Sequence, residues 1–590
     1  MTNEQVFRIM KWTRGTGKTR TPFSFMEDME KNIYKRLLKK YCDALLSVQD
    51  KGKDKAFRGG IWCRSCKMIH GRCPDAVYGF VVMAKLSGKK KYLNAAKEVF
   101  AYGENMLCTD GALYNDAQAN WRYTTTFHQI AVIEALRAGK EILDAKTKSA
   151  FEKRAKGMAE WLYQNLDEHS PANINYATTN GLALALSGNY FGQQKYLDRA
   201  HHLVSYALKH ISESGLLYGE SKPHDKVSSK GCRSVDVGYN VEESLPALVK
   251  YAHEIGDEKL MEDVLPIISA HFDFLLPDGG WDNSFGNRNN KWTYWGSRTS
   301  DGCAPMLLLL ADKNPAFAEG AYRNTQLLEK CSPDGFLYGG PDYKKNGEHA
   351  CTHHLFEHVN SIAFALENID EKYLCPQGVE IPSDKREGCT YYPEVNTWRF
   401  IKGDYLATIT DYDFDIFFSG HATGGTLTAL HHKTKGPMVM ASVTDYVLVE
   451  PTNMQQTLKR DKHRPLVPRF TAVKDGVEYV SSFYQKATTS FEKTDEEYTV
   501  KAQTGLTSKN DQTLDGVHPK IAFTLGENGL KIEIGDADDT KYVLPLICGN
   551  LTVLEGEIEK QEEIFFLTGG FIAQEYTLTP KKGKILIKID

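Results

Sequence analysis

The side chains best suited to moving protons cluster just ahead of runs of small apolar residues. In Ala172–Asn180 the amides of Asn175 and Asn180 flank the phenol of Tyr176. Amide donors at a helix N-terminus suit a carboxylate, because that end of the helix is itself electropositive. Arg233–Asn240 brings Arg233 and Tyr239 to the equivalent place before the next apolar run. Donors that neutralise a carboxylate acidify the proton on the neighbouring carbon, and a phenol or imidazole can then move that proton. These are the requirements of β-elimination from a uronic acid. A tyrosine ordinarily titrates near 10, so Tyr239 needs help from Arg233 or the substrate to act as a base.

Other stretches add recognition chemistry. Lys291–Arg298 holds three aromatics, among them Trp295, and ends on Arg298, a combination that stacks on sugar rings and grips carboxylates. In Gly420–Leu427 a Gly-rich turn carries His421, placed to reach across a cleft. Cys63, Cys66, His70 and Cys73 have zinc-ligand types at tight spacing, while His70 and Arg72 are also placed to touch a substrate. His354-Leu355-Phe356-Glu357-His358 has the inverted zincin spacing, and its histidines could equally line a cleft. Trp12–Thr19 ends like a phosphate-binding loop but lacks its first Gly and any preceding strand.

The elements that carry these groups repeat. A polar turn followed by Lys91-Tyr92-Leu93, Lys195-Tyr196-Leu197 or Lys259-Leu260-Met261 opens a second helix after an apolar one. Segments His128–Gln164 and Cys303–Cys331 fit the same hairpin plan. After several pairs comes a Gly turn ending in an aromatic, as in Asp110–Tyr114, Ser214–Tyr218, Asp278–Trp281 and Asp334–Tyr338, with the aromatic expected at one rim. About six pairs between residues 30 and 370 favour a closed (α/α) toroid over an open solenoid. Pro and Gly then mark a linker over 376–394. Beyond it the apolar period becomes two, as in Tyr405–Thr410 and Ile585–Ile589, which predicts an antiparallel β-sandwich domain. The expected architecture is therefore α+β: a catalytic toroid over 1–375 and a sheet domain over 395–590 that contributes a loop to the site.

Composition narrows the partners. With 72 Lys+Arg against 76 Asp+Glu and 41% hydrophobic residues, the chain has neither the basic face of a nucleic-acid binder nor the make-up of a disordered acidic one. No apolar run is long enough to span a membrane. The first residues lack the apolar core of a signal peptide, so the protein is expected in the cytoplasm, or in the periplasm or outside the cell if a leader was removed. The 12 cysteines are too sparse for a disulfide scaffold in a chain of this length, and most read as buried thiols.

Taken together, Asn175 to Asn180, Tyr239 and His421 stand in the order found in the heparinase II/III type of polysaccharide lyase, which this chain resembles. Within that type the Cys63–Asp75 and His421–Met438 segments are similar to the rhamnosyl-glucuronate lyases, polysaccharide lyase family 27, which remove terminal rhamnose from glucuronate in arabinogalactans. The chain departs from many such lyases in having Tyr176 after Asn175 where a His is common, and Ser419 and Thr423 where some relatives hold zinc. The resemblance implies a β-eliminating lyase acting on an acidic polysaccharide, with no required cofactor. Asn175, Asn180 and Arg233 would hold the carboxylate, Tyr239 would transfer a proton, and His421 would be its partner. Arg72, His128, Tyr176, Trp295, Arg298, His354 and His70 would bind sugar. The alternatives are a glycoside hydrolase using Asp116, Asp236 or Glu243, and a glycan-binding protein without catalysis.

Overall fold

The computed structural model describes residues 31–115, 121–170, 172–289, 292–293, 296–297, 302–347, 349–416, 420–443, 465–566 and 570–590. Its first half is a ring of paired helices. In chain order these are α1 (Ile33–Ser47), α2 (Val77–Ser87), α3 (Lys90–Tyr102), α4 (Thr125–Ala138), α5 (Ala145–Asn165), α6 (Asn175–Phe191) and α7 (Gln194–Ala207). They continue with α8 (Val237–Tyr239), α9 (Leu245–Ile255), α10 (Glu258–Asp263), α11 (Leu265–Phe272), α12 (Ala304–Leu308), α13 (Pro315–Lys330) and α14 (Thr352–Asn368). Along the inner wall α2, α4, α6, α9, α12 and α14 each touch the next, and α14 packs back on α2 and α1. The ring is closed by its own two ends.

Composition separates the two layers. Inner helix α2 is apolar on every side and all of Val77–Ala84 is buried, whereas outer helix α3 buries only the stripe Tyr92, Ala95, Ala96, Val99, Phe100 and Tyr102. At the closure Gly79 lets α2 approach α14: a Cβ there would meet Val359 Cγ2 at 2.5 Å. Gly79→Ala should therefore cost about 1–3 kcal/mol in denaturant unfolding, since β-branched Val359 has little room to yield. Gly157→Ala in α5, where a Cβ meets nothing nearer than 3.8 Å, should instead gain about 1 kcal/mol.

The recurrent Gly turn is the same device each time. Gly111, Gly215, Gly279 and Gly335 have φ of 97°, 87°, 89° and 91°, a region that only glycine enters freely. The aromatics that follow do not share one rim. Tyr114 is exposed, but Trp281 is wholly buried and Tyr338 nearly so, because bulky apolar rings fill the space between helix pairs.

The second half holds three antiparallel sheets. Strands β1 (Glu387–Tyr392), β2 (Thr397–Lys402), β3 (Tyr405–Thr410), β4 (Thr426–His432) and β5 (Gly436–Met440) form the first in simple sequence order. Every residue of β2 and β3 is buried. Leu406 joins the core of the toroid, while Tyr405, Ala407 and Ile409 join the core shared by the two six-stranded sheets. The sandwich expected from the two-residue period thus has an extra layer laid against the toroid. A period of two places successive side chains on opposite faces, and here a different core covers each face.

Candidate active site

Two inner-helix starts lie side by side. Asn175 is the first residue of α6, and its Nδ2 donates to Glu243 Oε1 at 2.8 Å. Glu243 lies four residues beyond Tyr239, in a π-helical turn over Asn240–Ser244 that joins α8 to α9. The turn has a local cause. Pro246 has no N–H to give the Glu242 carbonyl four residues back, and Gly302 N donates there instead at 3.3 Å. Widened turns of this kind concentrate at functional sites.

The neighbours of Tyr239 hold it from below. Asp236 caps α8, its Oδ1 accepting from Tyr239 N at 2.9 Å and its Oδ2 from Arg288 N at 3.0 Å and Asn283 Nδ2 at 3.1 Å. The Arg288 guanidinium lies over the Tyr239 ring at 5.1 Å and reaches Glu220 at 3.5 Å. On the next residue, Asn240 Nδ2 donates to His271 Nε2 at 3.0 Å, which requires the tautomer whose Nδ1–H donates to Ile267 O at 2.8 Å. Burial pushes His271 down to about 4. The unfolded chain therefore takes up the proton first. The stability tied to neutral His271 is complete above pH ~6.5 and falls by roughly 3 kcal/mol as pH drops toward 4. Denaturant unfolding of wild type and His271→Gln at pH ~7 and ~4.5 checks this: the variant should lose less on acidification.

Beneath the cleft runs a buried ionic chain. Arg72 Nε meets Asp75 at 3.0 Å, its Nη2 meets Glu357 at 2.8 Å, and Glu357 also meets His353 Nε2 at 2.7 Å. The Arg72 guanidinium lies 4.2 Å from the centre of the Phe127 ring, itself packed on Tyr176. Tyr176 accepts from Trp121 Nε1 at 3.1 Å and packs edge-on against Trp121 and Tyr123, making an aromatic wall with Trp121 partly exposed. On the inner face of the ring, Thr179, Glu242, Glu243 and Lys250 line a cavity of about 40 Å³. That is room for a water or two.

Several expected site residues lie elsewhere. Asn180 follows Asn175 by five positions, about 140° round the helix, and bonds Leu166 O at 3.4 Å as a tie to α5. Arg233 lays its guanidinium on the Tyr218 ring and bonds Asp225 O, leaving Arg288 as the cation over Tyr239. His128 is buried between Asp75 Oδ1 at 3.1 Å and Arg154 at 3.5 Å. His354 is also buried, and its backbone carbonyl accepts from His358 Nδ1 at 2.8 Å. His358 faces Glu242 at 3.6 Å, so the zincin-like triplet is split between two partners. Asp236 is spent as a helix cap, and Glu243 is held by Asn175. Trp295, Arg298 and Asp116 lie outside the described residues. Sequence reasoning missed Arg288 and Trp121, which carry no local motif, and placed Glu357 in a zincin-like triplet where the structure pairs it with Arg72.

His421 is buried, its Nε2–H donating to Tyr412 O at 3.1 Å, and its Nδ1 lies 3.2 Å from Asp415. Burial pushes it down to about 4 and Asp415 up to about 7. The hydroxyl of Tyr412 donates to Arg233 O at 2.6 Å and accepts from Val235 N at 2.9 Å. Through Tyr412 the turn therefore holds the segment Arg233–Val235 that leads into Tyr239.

Residues 38–384 match the model of the ulvan lyase N-terminal domain, and residues 389–579 that of the ulvan lyase C-terminal domain. The chain belongs to the ulvan lyase family. Its similarity to a curated member, a broad-specificity ulvan lyase from Formosa agariphila, is 34% identity over 530 residues, 88% of this chain and 83% of that protein. Among solved structures, heparinase III superposes with a TM-score of 0.52 at 11% identity over 87% of this chain and 75% of its own, a likeness of fold. Chondroitin AC lyase from Streptomyces coelicolor A3 follows at 0.48 and 9% identity, over 98% of this chain and 80% of its own. As an ulvan lyase family member the chain is a polysaccharide lyase, a helical toroid followed by antiparallel sheets, with the fold of heparinase III.

Proposed function

We propose that this enzyme cleaves ulvan by β-elimination at a uronic acid, glucuronate being the sugar whose carboxylate it holds. The observation that carries this is the Asn175–Glu243 contact, which sets an amide donor beside Tyr239 and its overlying Arg288 guanidinium. The second N–H of Asn175, with Arg288, neutralises the substrate carboxylate and acidifies C5–H. Tyr239 takes that proton as the C4–O4 bond breaks. The C4=C5 double bond forms, and the proton ends on the departing O4 oxygen. His421 acts as a positioning residue through Tyr412, not as the second proton carrier. The aromatic wall of Trp121, Tyr123 and Tyr176 stacks on the sugar.

Absorbance of the new conjugated double bond during incubation with ulvan tests the reading; reducing ends that appear without it would overturn it. Arabinogalactan belongs in the same assay, because removal of a terminal rhamnose from glucuronate uses the same elimination. Asn175→Ala should lower kcat by about 10²–10³, the usual cost of losing one donor to a developing oxyanion.

A further inference from the structure

Four potential ligands converge at the seam of the ring. Cys63 and Cys66 stand on either side of a tight knuckle, between Trp62–Cys63 and Met68–Ile69, with Lys67 in the left-handed region at φ 56°. His70 follows, and Cys351 arrives from the other end of the toroid as the N-cap of α14. One ligand atom from each of the four lies within 4.8 Å of all the others.

We propose that Cys63, Cys66, His70 and Cys351 bind one zinc ion that clamps the toroid shut. Their edges are those of a zinc tetrahedron. Bonds of about 2.3 Å to sulfur and 2.0 Å to nitrogen give S···S edges of about 3.8 Å and S···N edges of about 3.5 Å. Cys351 Sγ lies 3.8 Å from Cys63 Sγ, 3.6 Å from Cys66 Sγ and 3.5 Å from His70 Nε2. A disulfide would need sulfurs about 2.05 Å apart. Cys66 N donates to Cys63 Sγ at 3.3 Å, the kind of contact that supports a metal-bound thiolate. Cys73, the ligand expected from spacing, is not in the group. It lies inside the core, at the start of the short 3-10 turn Cys73–Ala76.

Four protein ligands leave no open position, so the ion is structural and takes no part in the elimination. Binding converts three thiols to thiolates and releases three protons. The ion joins segments 281 to 288 residues apart. Two residues beyond His70 stands Arg72, and six beyond Cys351 stands Glu357, so the clamp holds both sides of the ionic chain beneath the cleft.

The test is elemental analysis of the full-length protein after incubation with zinc and dialysis, together with the spectrum of the cobalt-exchanged form. The expected results are one zinc per chain and the intense visible bands, with thiolate charge transfer, of tetrahedral cobalt. Cys351→Ser should lower zinc affinity about tenfold or more, and Cys73→Ser should leave it unchanged. A wild-type protein that remains metal-free with all 12 thiols reactive on unfolding, or a disulfide among the three cysteines, would overturn the proposal. So would zinc lost from Cys73→Ser and kept by Cys351→Ser. The wild-type measurement stands even if Cys351→Ser fails to fold.

Discussion

Tyr239→Phe should reduce kcat on ulvan about 10³-fold, within the 10²–10⁴ typical of a lost proton-transfer group, while leaving the folded protein intact. The substitution removes one oxygen. The contacts that place the residue survive it, because Asp236 Oδ1 accepts from the backbone N–H of residue 239 and the Arg288 guanidinium packs on the ring. The unfolding free energies of the two proteins should therefore differ by no more than the roughly 0.5–1.5 kcal/mol of a single hydrogen bond. KM should move little, since the loss falls in the transition state and not in sugar binding. A variant that kept more than about a tenth of wild-type kcat would take Tyr239 out of the proton path, and Asn175→Ala would then have to be explained by binding alone.

Arg72→Met should be the most destabilising single change, costing about 3–5 kcal/mol. Arg72 is 5% exposed and shares its guanidinium between Asp75 at 3.0 Å and Glu357 at 2.8 Å. Removing it strands two buried carboxylates in a medium that solvates them poorly. Adding Asp75→Asn and Glu357→Gln should recover a large part of the loss, because the charges that needed the cation are then gone. Denaturant unfolding reads both results. A direct contact between Arg72 and the substrate, as the sequence reading expects, predicts the opposite pattern: a raised KM with stability unchanged.

The repeat architecture was legible because helix pairs announce themselves locally. Apolar α2 against amphipathic α3, the polar turn between them, and a positive-φ Gly after α3, α7, α11 and α13 are short-range features. Two proposed catalytic residues were legible for the same reason: Asn175 and Tyr239 each stand at the head of an inner helix, where a ring of hairpins must collect its loops. The extra sheet layer was not, since alternation in Tyr405–Thr410 is the same whether one face is covered or both.

Partners far apart in the chain decided the rest. Cys351 replaced Cys73 beside Cys63 and Cys66, Arg288 replaced Arg233 beside Tyr239, and Glu357 claimed Arg72 from the substrate. By itself the sequence determined which elements form and which loops gather at the cleft, because periodicity and turn chemistry act over a few residues. Only the tertiary structure decided which charge meets which. That depends on ring closure, which carries α14 back to the residues before α2 and makes neighbours of groups nearly 290 residues apart.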